Sequence, residues 1–354
     1  MLRFLYGVCA AVGCGALLIA ALIAVTASRI DSLWNISPQS LSETETQSAD
    51  IKTADTDSGG SESLPLIADP GGSYALEFYD TLFYTEEGET PTEGDYKIIT
   101  CDLSASSIYD FYNETSYTPD ADALLAEYTP QNSAVYTSLS VTPEPLVLII
   151  HTHGTEGFAS VGTTSYSSDN LPRSSDITNN IVAVGRAMRD AFIANGIPAL
   201  HCEIMHDKDS YNDSYKKSLA TILAYLAKYP SIKYVFDVHR DAILGDGTMT
   251  KGVCDIGGTS AAQVMLVVGT NAGGSNYPDW QKNLAFALTA QKLAAEQYPG
   301  LMRQINIRKA SFNAQYSYRD LLIEVGSCAN TLDEAKAGGT AIANIISQLI
   351  KQGY

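Results

Sequence analysis

Three short stretches of the chain concentrate side chains that can bind a metal or move a proton. They are His151-Thr152-His153-Gly154-Thr155-Glu156, Asp237-Val238-His239-Arg240-Asp241 and Glu324-Val325-Gly326. The whole sequence holds only 5 histidines, and these stretches contain His151, His153 and His239. Tetrahedral zinc accepts neutral imidazole nitrogen and carboxylate oxygen. Two imidazoles and a carboxylate with one position left open match a catalytic zinc site. Such an ion brings its bound water to a pKa of about 7. A further carboxylate outside the metal shell then takes the water's proton and passes it to a leaving amine.

Each position also has a structural reading. His151 and His153 stand two apart and face the same side if the backbone stays extended. Glu324 sits between apolar residues, where a carboxylate is costly unless it is paired or metal-linked. Asp237, two residues before His239, is placed to orient that ring or to meet solvent in a loop. Arg240 and Asp241 could simply pair with each other. Cys328 invites a thiol-nucleophile reading, but nothing in the sequence places a base beside it. His201, inside an expected strand, reads as a hydrogen-bonded structural residue. The segment His206-Asp207-Lys208-Asp209-Ser210-Tyr211 could supply a ligand, a proton donor or a substrate contact through His206. It reads equally as a polar turn capped at Asp213 or Ser214. The glycines of Gly269-Thr270-Asn271-Ala272-Gly273-Gly274 lack dinucleotide-fingerprint spacing and suit a loop bordering the site.

The elements that must position these residues alternate. Apolar runs at 146–150, 197–205, 232–238, 264–269 and 321–326 predict strands. Helical patterns at 176–195, 214–228, 278–298 and from Thr331 to the C-terminus separate or follow them. This order predicts an α/β fold, a mostly parallel sheet with helices on both faces. Ligands of such sheets bind at the carboxyl ends of the strands, where the three stretches fall.

Composition sets the surroundings. With 22 Lys and Arg against 40 Asp and Glu, the net charge of −18 argues against nucleic-acid binding. The run Phe4–Ser28 carries no charge and as a helix would span about 37 Å, enough for a bilayer core. Arg3 before it and acidic residues after it leave the N-terminus cytoplasmic and the remainder outside. Four regions are expected: a transmembrane anchor at 1–30, a flexible acidic linker at 31–72, an accessory region at 73–142 and a catalytic domain at 143–354. The expected place is the cell membrane, single-pass, with the catalytic domain outside the cytoplasm. Cys101, Cys202, Cys254 and Cys328 lack zinc-ribbon spacing and leave one or two disulfides open.

The stretches LVLIIHTHGTEGF, HDKDSYNDSYKKS, FDVHRDA, VVGTNAGGSNYPDWQKNLAFAL and LLIEVGSCANTLDEA resemble the stage II sporulation protein P (SpoIIP) family of peptidoglycan hydrolases. The resemblance runs in order over about residues 145–350. It implies a zinc-amidase-like fold, a Zn2+ cofactor and cleavage between N-acetylmuramic acid and the L-alanine of the stem peptide. It also implies peptide cross-link endopeptidase activity. The implied partners are the sporulation protein D transglycosylase and the sporulation membrane protein M, during engulfment of the forespore. The wider zinc amidases use a His-Gly element, a carboxylate, a second histidine and a final catalytic glutamate. His153, His239 and Glu324 match the two histidines and the last acid. Glu156 is the choice for the middle carboxylate, with Asp176, His151 or His206 as substitutes. On this reading His153, Glu156 and His239 hold the metal and Glu324 moves the proton. Arg240 or the metal polarises the scissile carbonyl. The rivals are a stem-peptide carboxypeptidase and a non-catalytic wall-binding or scaffold protein.

Overall fold

The computed structural model describes residues 95–130, 144–167, 171–245, 247–317 and 319–354. In chain order the strands are β1 (Asp95–Cys101), β2 (Phe111–Asn113), β3 (Val147–Ile150), β4 (Ser165–Ser167), β5 (Ala199–His201) and β6 (Tyr234–Asp241). They continue as β7 (Ile243–Gly245), β8 (Thr248–Ile256), β9 (Thr259–Ala262), β10 (Val264–Gly269), β11 (Ile305–Arg308) and β12 (Arg319–Ser327). The helices are α1 (Ala121–Tyr128), α2 (Ile181–Ala194), α3 (Ser214–Lys228), α4 (Trp280–Gln297) and α5 (Leu332–Lys351).

The apolar runs build a seven-stranded sheet in the order β2-β11-β10-β12-β6-β3-β5. Every neighbouring pair is parallel except β10 with β12. The mixed α/β expectation is met. β6 runs further than its apolar core suggests, carrying His239 and Arg240 within the strand and not beyond its end.

Alternation divides the sheet into two chemically different faces. Val147, Ile149, Phe236, Val238, Leu266, Ile323 and Val325 point toward α2, α4 and α5 and form the main core with them. Each such fully buried side chain contributes about 1.5–3 kcal/mol relative to exposure. The opposite face carries Asp237, His239, Leu322 and Glu324, and α3 approaches this side through Ser218 against Thr152. The polar residues thus sit on the face away from the main core, and they are buried there.

Local signals explain where the helices begin. Asn180 accepts from the Val182 N–H at the start of α2. Thr331 and Glu334 form a reciprocal capping box at the start of α5. Gly185 on α2 lies where an added Cβ would run into the His151 and His201 rings. That close approach requires glycine.

A second, smaller sheet was not expected from the sequence. Its order is β4-β1-β8-β7, with β9 paired to β8. Through β1, β2 and α1, residues 95–128 join the same sheets and core as the segment after 143. Cys101, Cys202, Cys254 and Cys328 are all free thiols. The expected anchor at 1–30 and linker at 31–72 lie outside the described residues. Among the described residues no helix is long and apolar enough to cross a membrane.

Candidate active site

The site grows from three adjacent strands, β12, β6 and β3. Ile150, the last residue of β3, pairs in register with Asp237 on β6. The chain then leaves the sheet as a turn, so Thr152 and His153 arrive just past the strand edge. Thr152 donates its N–H (2.8 Å) and its hydroxyl (2.5 Å) to the Asp237 carboxylate. This pair of bonds fixes the turn to the neighbouring strand.

Asp237 holds His239 in turn, with Oδ1 2.9 Å from Nε2. The other ring nitrogen, Nδ1, faces Glu156 Oε2 at 3.6 Å. Glu156 is held by the Arg240 backbone N–H at 3.0 Å. Burial alone would depress the His239 pKa, but the Asp237 and Glu156 carboxylates outweigh it and raise it well above normal. Burial alone would raise Glu156, and His239 outweighs it, bringing that carboxyl down to about 2. Two buried carboxylates are thus arranged around a cationic group.

The His153 ring stands edge-on to His239, with centroids 5.3 Å apart. Tyr211 stacks flat on its face at 4.3 Å, and Tyr215 meets it edge-on at 5.6 Å. Asp207 Oδ2 lies 3.9 Å from Nδ1. Burial pushes the His153 pKa down to about 3, so the ring is neutral at physiological pH. A neutral ring is the form that ligates metals.

Glu324 shares a register position with His239 on the adjoining strand. The residue is 8 % exposed, and Oε2 has no hydrogen-bond partner. Burial, reinforced by Asp241, pushes its pKa up to about 8. A bulge follows immediately, and Gly326 turns it with a φ of +72° that other residues rarely adopt.

The remaining expected residues lie elsewhere. His151 donates from Nδ1 to the Val238 carbonyl (2.8 Å), and its Nε2 meets His201 Nε2 at 2.8 Å. Because a carbonyl only accepts, Nδ1 carries the proton and His201 is the donor in the pair. His206 donates to the His151 carbonyl (2.7 Å) and meets Thr221 (2.8 Å). Asp176 is exposed and accepts from Thr178 in a local turn. Of the four candidates for the middle carboxylate position, only Glu156 faces His239.

Arg240, expected with the metal as its alternative to polarise the scissile carbonyl, is engaged by backbone carbonyls. As the neighbour of His239 on a strand, it points to the other face. There its guanidinium donates to the Gly157 carbonyl (3.1 Å) and the Pro172 carbonyl (3.0 Å). It ties Gly157 to Pro172.

The resemblance implies zinc. In donor type the residues fit it: a neutral imidazole, a second imidazole steered by a carboxylate, and a buried acid. Among the described residues, however, no three His, Cys, Asp or Glu side chains are arranged to hold a metal ion as they stand. The chemistry of the donors fits, and the side chains are not drawn around a common point.

Sequence reasoning passed over Asp207, Tyr211 and Arg173. Asp207 accepts from Thr155 N (3.1 Å), Thr155 Oγ1 (2.5 Å) and Arg173 Nη1 (3.1 Å). For Asp207 and Tyr211 the one signal was their position on the loop after β5, at the rim where the site forms, whereas Arg173 lies ahead of α2.

A family model described as stage II sporulation protein P (SpoIIP) matches residues 104–347. The stage II sporulation protein P of Bacillus subtilis strain 168 is 26 % identical over 215 residues, covering 58 % of this chain and 51 % of that protein. The chain therefore spans about half the length of that relative. Among solved structures, the apo N-acetylmuramyl-L-alanine amidase Ami1 of Mycobacterium abscessus aligns with a TM-score of 0.35 and 12 % identity, covering 59 % of this chain and 100 % of that one. The catalytic domain of the amidase CwlV from Bacillus (Paenibacillus) polymyxa var. colistinus aligns at 0.33 and 14 % identity, covering 59 % and 95 %.

Proposed function

The chain belongs to the stage II sporulation protein P family, and on that premise we propose that it is a peptidoglycan hydrolase of sporulation. The proposed reaction is hydrolysis of the amide between N-acetylmuramic acid and L-alanine. The observation that carries this reading is the set His153, Glu156, His239 and Glu324 at the edge of three adjacent strands. His153, His239 and Glu156 would hold the zinc that the reading requires. Zinc bound there would supply Lewis acidity toward a carbonyl oxygen and toward water.

The chain's own residues do the rest. Thr152 and Asp237 fix the His239 ring so that Nδ1 faces Glu156. The Arg240 backbone N–H fixes Glu156, and its guanidinium closes the adjoining loop. Glu324 takes a proton from water and returns it to the departing amine. A carboxyl pushed up toward neutrality is suited to both transfers.

The reading extends to a membrane-anchored protein with the catalytic part outside the cytoplasm, supported by the uncharged run Phe4–Ser28. By family likeness it acts beside the sporulation protein D transglycosylase and membrane protein M, with endopeptidase activity as an accompanying function. Digestion of purified sacculi by the full chain with zinc tests the central claim. An amidase releases intact stems free of muramic acid, visible by mass spectrometry. Cross-link cleavage with muramic acid still attached would point to an endopeptidase alone, and no soluble product would defeat the reading.

A further inference from the structure

A groove of about 680 Å3 opens beside His153, lined by Thr155, Arg173, Asp207, Lys208, Tyr211 and two serines. Its wall nearest the site is Tyr211, stacked on the His153 imidazole within 8° of parallel. The groove therefore begins where a ligand side chain of the proposed centre ends.

Its charge is opposite to that of the molecule. The chain carries a net −18, yet this groove presents Arg173 and Lys208. Asp207 is the acid lining it, and its side chain is only 1 % exposed. Thr155 and Arg173 answer that carboxylate from within the fold. Arg173 remains 44 % exposed, with its guanidinium carbon 5.2 Å from the Tyr211 ring centre. One edge of the guanidinium is thus anchored, and the group is held over an aromatic ring. A pre-oriented guanidinium beside an ammonium and hydroxyls is a carboxylate receptor.

We propose that this groove is the subsite for a carboxylate-bearing residue of the stem peptide, with Arg173 and Lys208 as its specificity-determining residues. The proposal rests on the hydrolase reading above. Extended peptide advances roughly 3.4 Å per residue, so a carboxylate one or two residues from the scissile amide reaches the groove. Stem peptides carry such carboxylates either free or converted to amides, which supplies the comparison.

The experiment measures kcat/KM of the full chain with zinc on paired muropeptides, one with free stem carboxylates and one amidated. The free acid is expected to be favoured about tenfold, the worth of one charge-assisted contact at a partly exposed site. Arg173→Gln and Lys208→Gln should each bring that ratio toward one, chiefly through KM. Lys208→Gln leaves the Asp207 pairing intact, so a folding defect at Arg173 does not decide the outcome. Calorimetric binding of both stems to Glu324→Gln separates the two claims. A binding preference for the acid without any cleavage by the wild type overturns the hydrolase reading and keeps the subsite. Cleavage of both stems at one rate, with no binding preference, overturns the subsite alone.

Discussion

Glu324 and His239 occupy matched positions on neighbouring parallel strands, so their side chains leave the same face of the sheet. Residues 85 apart in sequence are thereby set side by side without any loop having to place them. On the reading proposed above, this pairing aims a proton carrier rigidly at a metal ligand. Replacing Glu324 by Gln keeps the shape of the side chain and removes its basicity. The expected result is unchanged zinc content with turnover on sacculi reduced by about 10²–10⁴-fold. Metal analysis alongside muropeptide mass spectrometry reads both quantities. Near-normal turnover would remove Glu324 from the chemistry.

Asp237 acts through His239. It receives two bonds from Thr152 and faces His239 Nε2, which directs Nδ1 toward Glu156. Asp237→Asn should weaken zinc affinity by about 10–100-fold, as loss of an orienting carboxylate does at other metal sites. Competition with a chelator of known affinity gives the number. His239→Ala is expected to abolish both zinc binding and activity. Unchanged affinity in both variants would show that the metal lies elsewhere.

The parts of this fold that could be read in advance are those set by local pattern. The helix expected at 214–228 is α3, and the strand expected at 264–269 is β10, residue for residue. Asp213 and Pro230 bracket α3, and β10 is apolar at every position but its last glycine. The smaller sheet had no such mark. Thr248–Ile256 mixes polar and apolar residues without alternation, and its partner β1 lies about 150 residues earlier. The same division holds at the site. His153, His239 and Glu324 could be singled out because each is a polar residue that follows or interrupts an apolar strand run. Asp207 and Tyr211 were not, since their roles come from Thr155 and His153 across a tertiary contact. His206 drew attention as the rarer residue, but its ring serves the His151 carbonyl and Thr221.

Arg240 offers a test of positioning against chemistry. Its guanidinium bridges the Gly157 and Pro172 carbonyls from the face away from His239. Lysine keeps the charge and cannot bridge both acceptors with the same fork geometry. Arg240→Lys should lower stability by about 1–3 kcal/mol through the bond it leaves unmade. Zinc content should stay the same, and any residual activity should show the loss mainly in KM. Urea denaturation and steady-state kinetics on one preparation separate these effects. An intact fold with kcat alone abolished would return Arg240 to the reacting atoms.

Asp320 lies on the same face as Glu324, two repeats of the pleat further back with Leu322 between them, buried with Oδ2 unpartnered. Burial, with Asp237 nearby, raises its pKa well above the ordinary 3.8. The folded chain therefore keeps this proton over a range in which the unfolded chain has released it. Stability follows the difference in bound protons, unfolded minus folded, and that difference is negative here. Asp320 accordingly contributes a loss of stability that grows as pH rises above the unfolded value and levels off beyond the folded one. Asn has the same shape, offers a donor as the protonated acid does, and does not titrate. Asp320→Asn should gain stability relative to the wild type as the buffer is moved from about pH 4 to about pH 8. Denaturant midpoints of the two proteins across that series give the comparison. A difference that stays constant with pH would mean that Asp320 is ionised in the native fold, and a cation held nearby would then have to account for it.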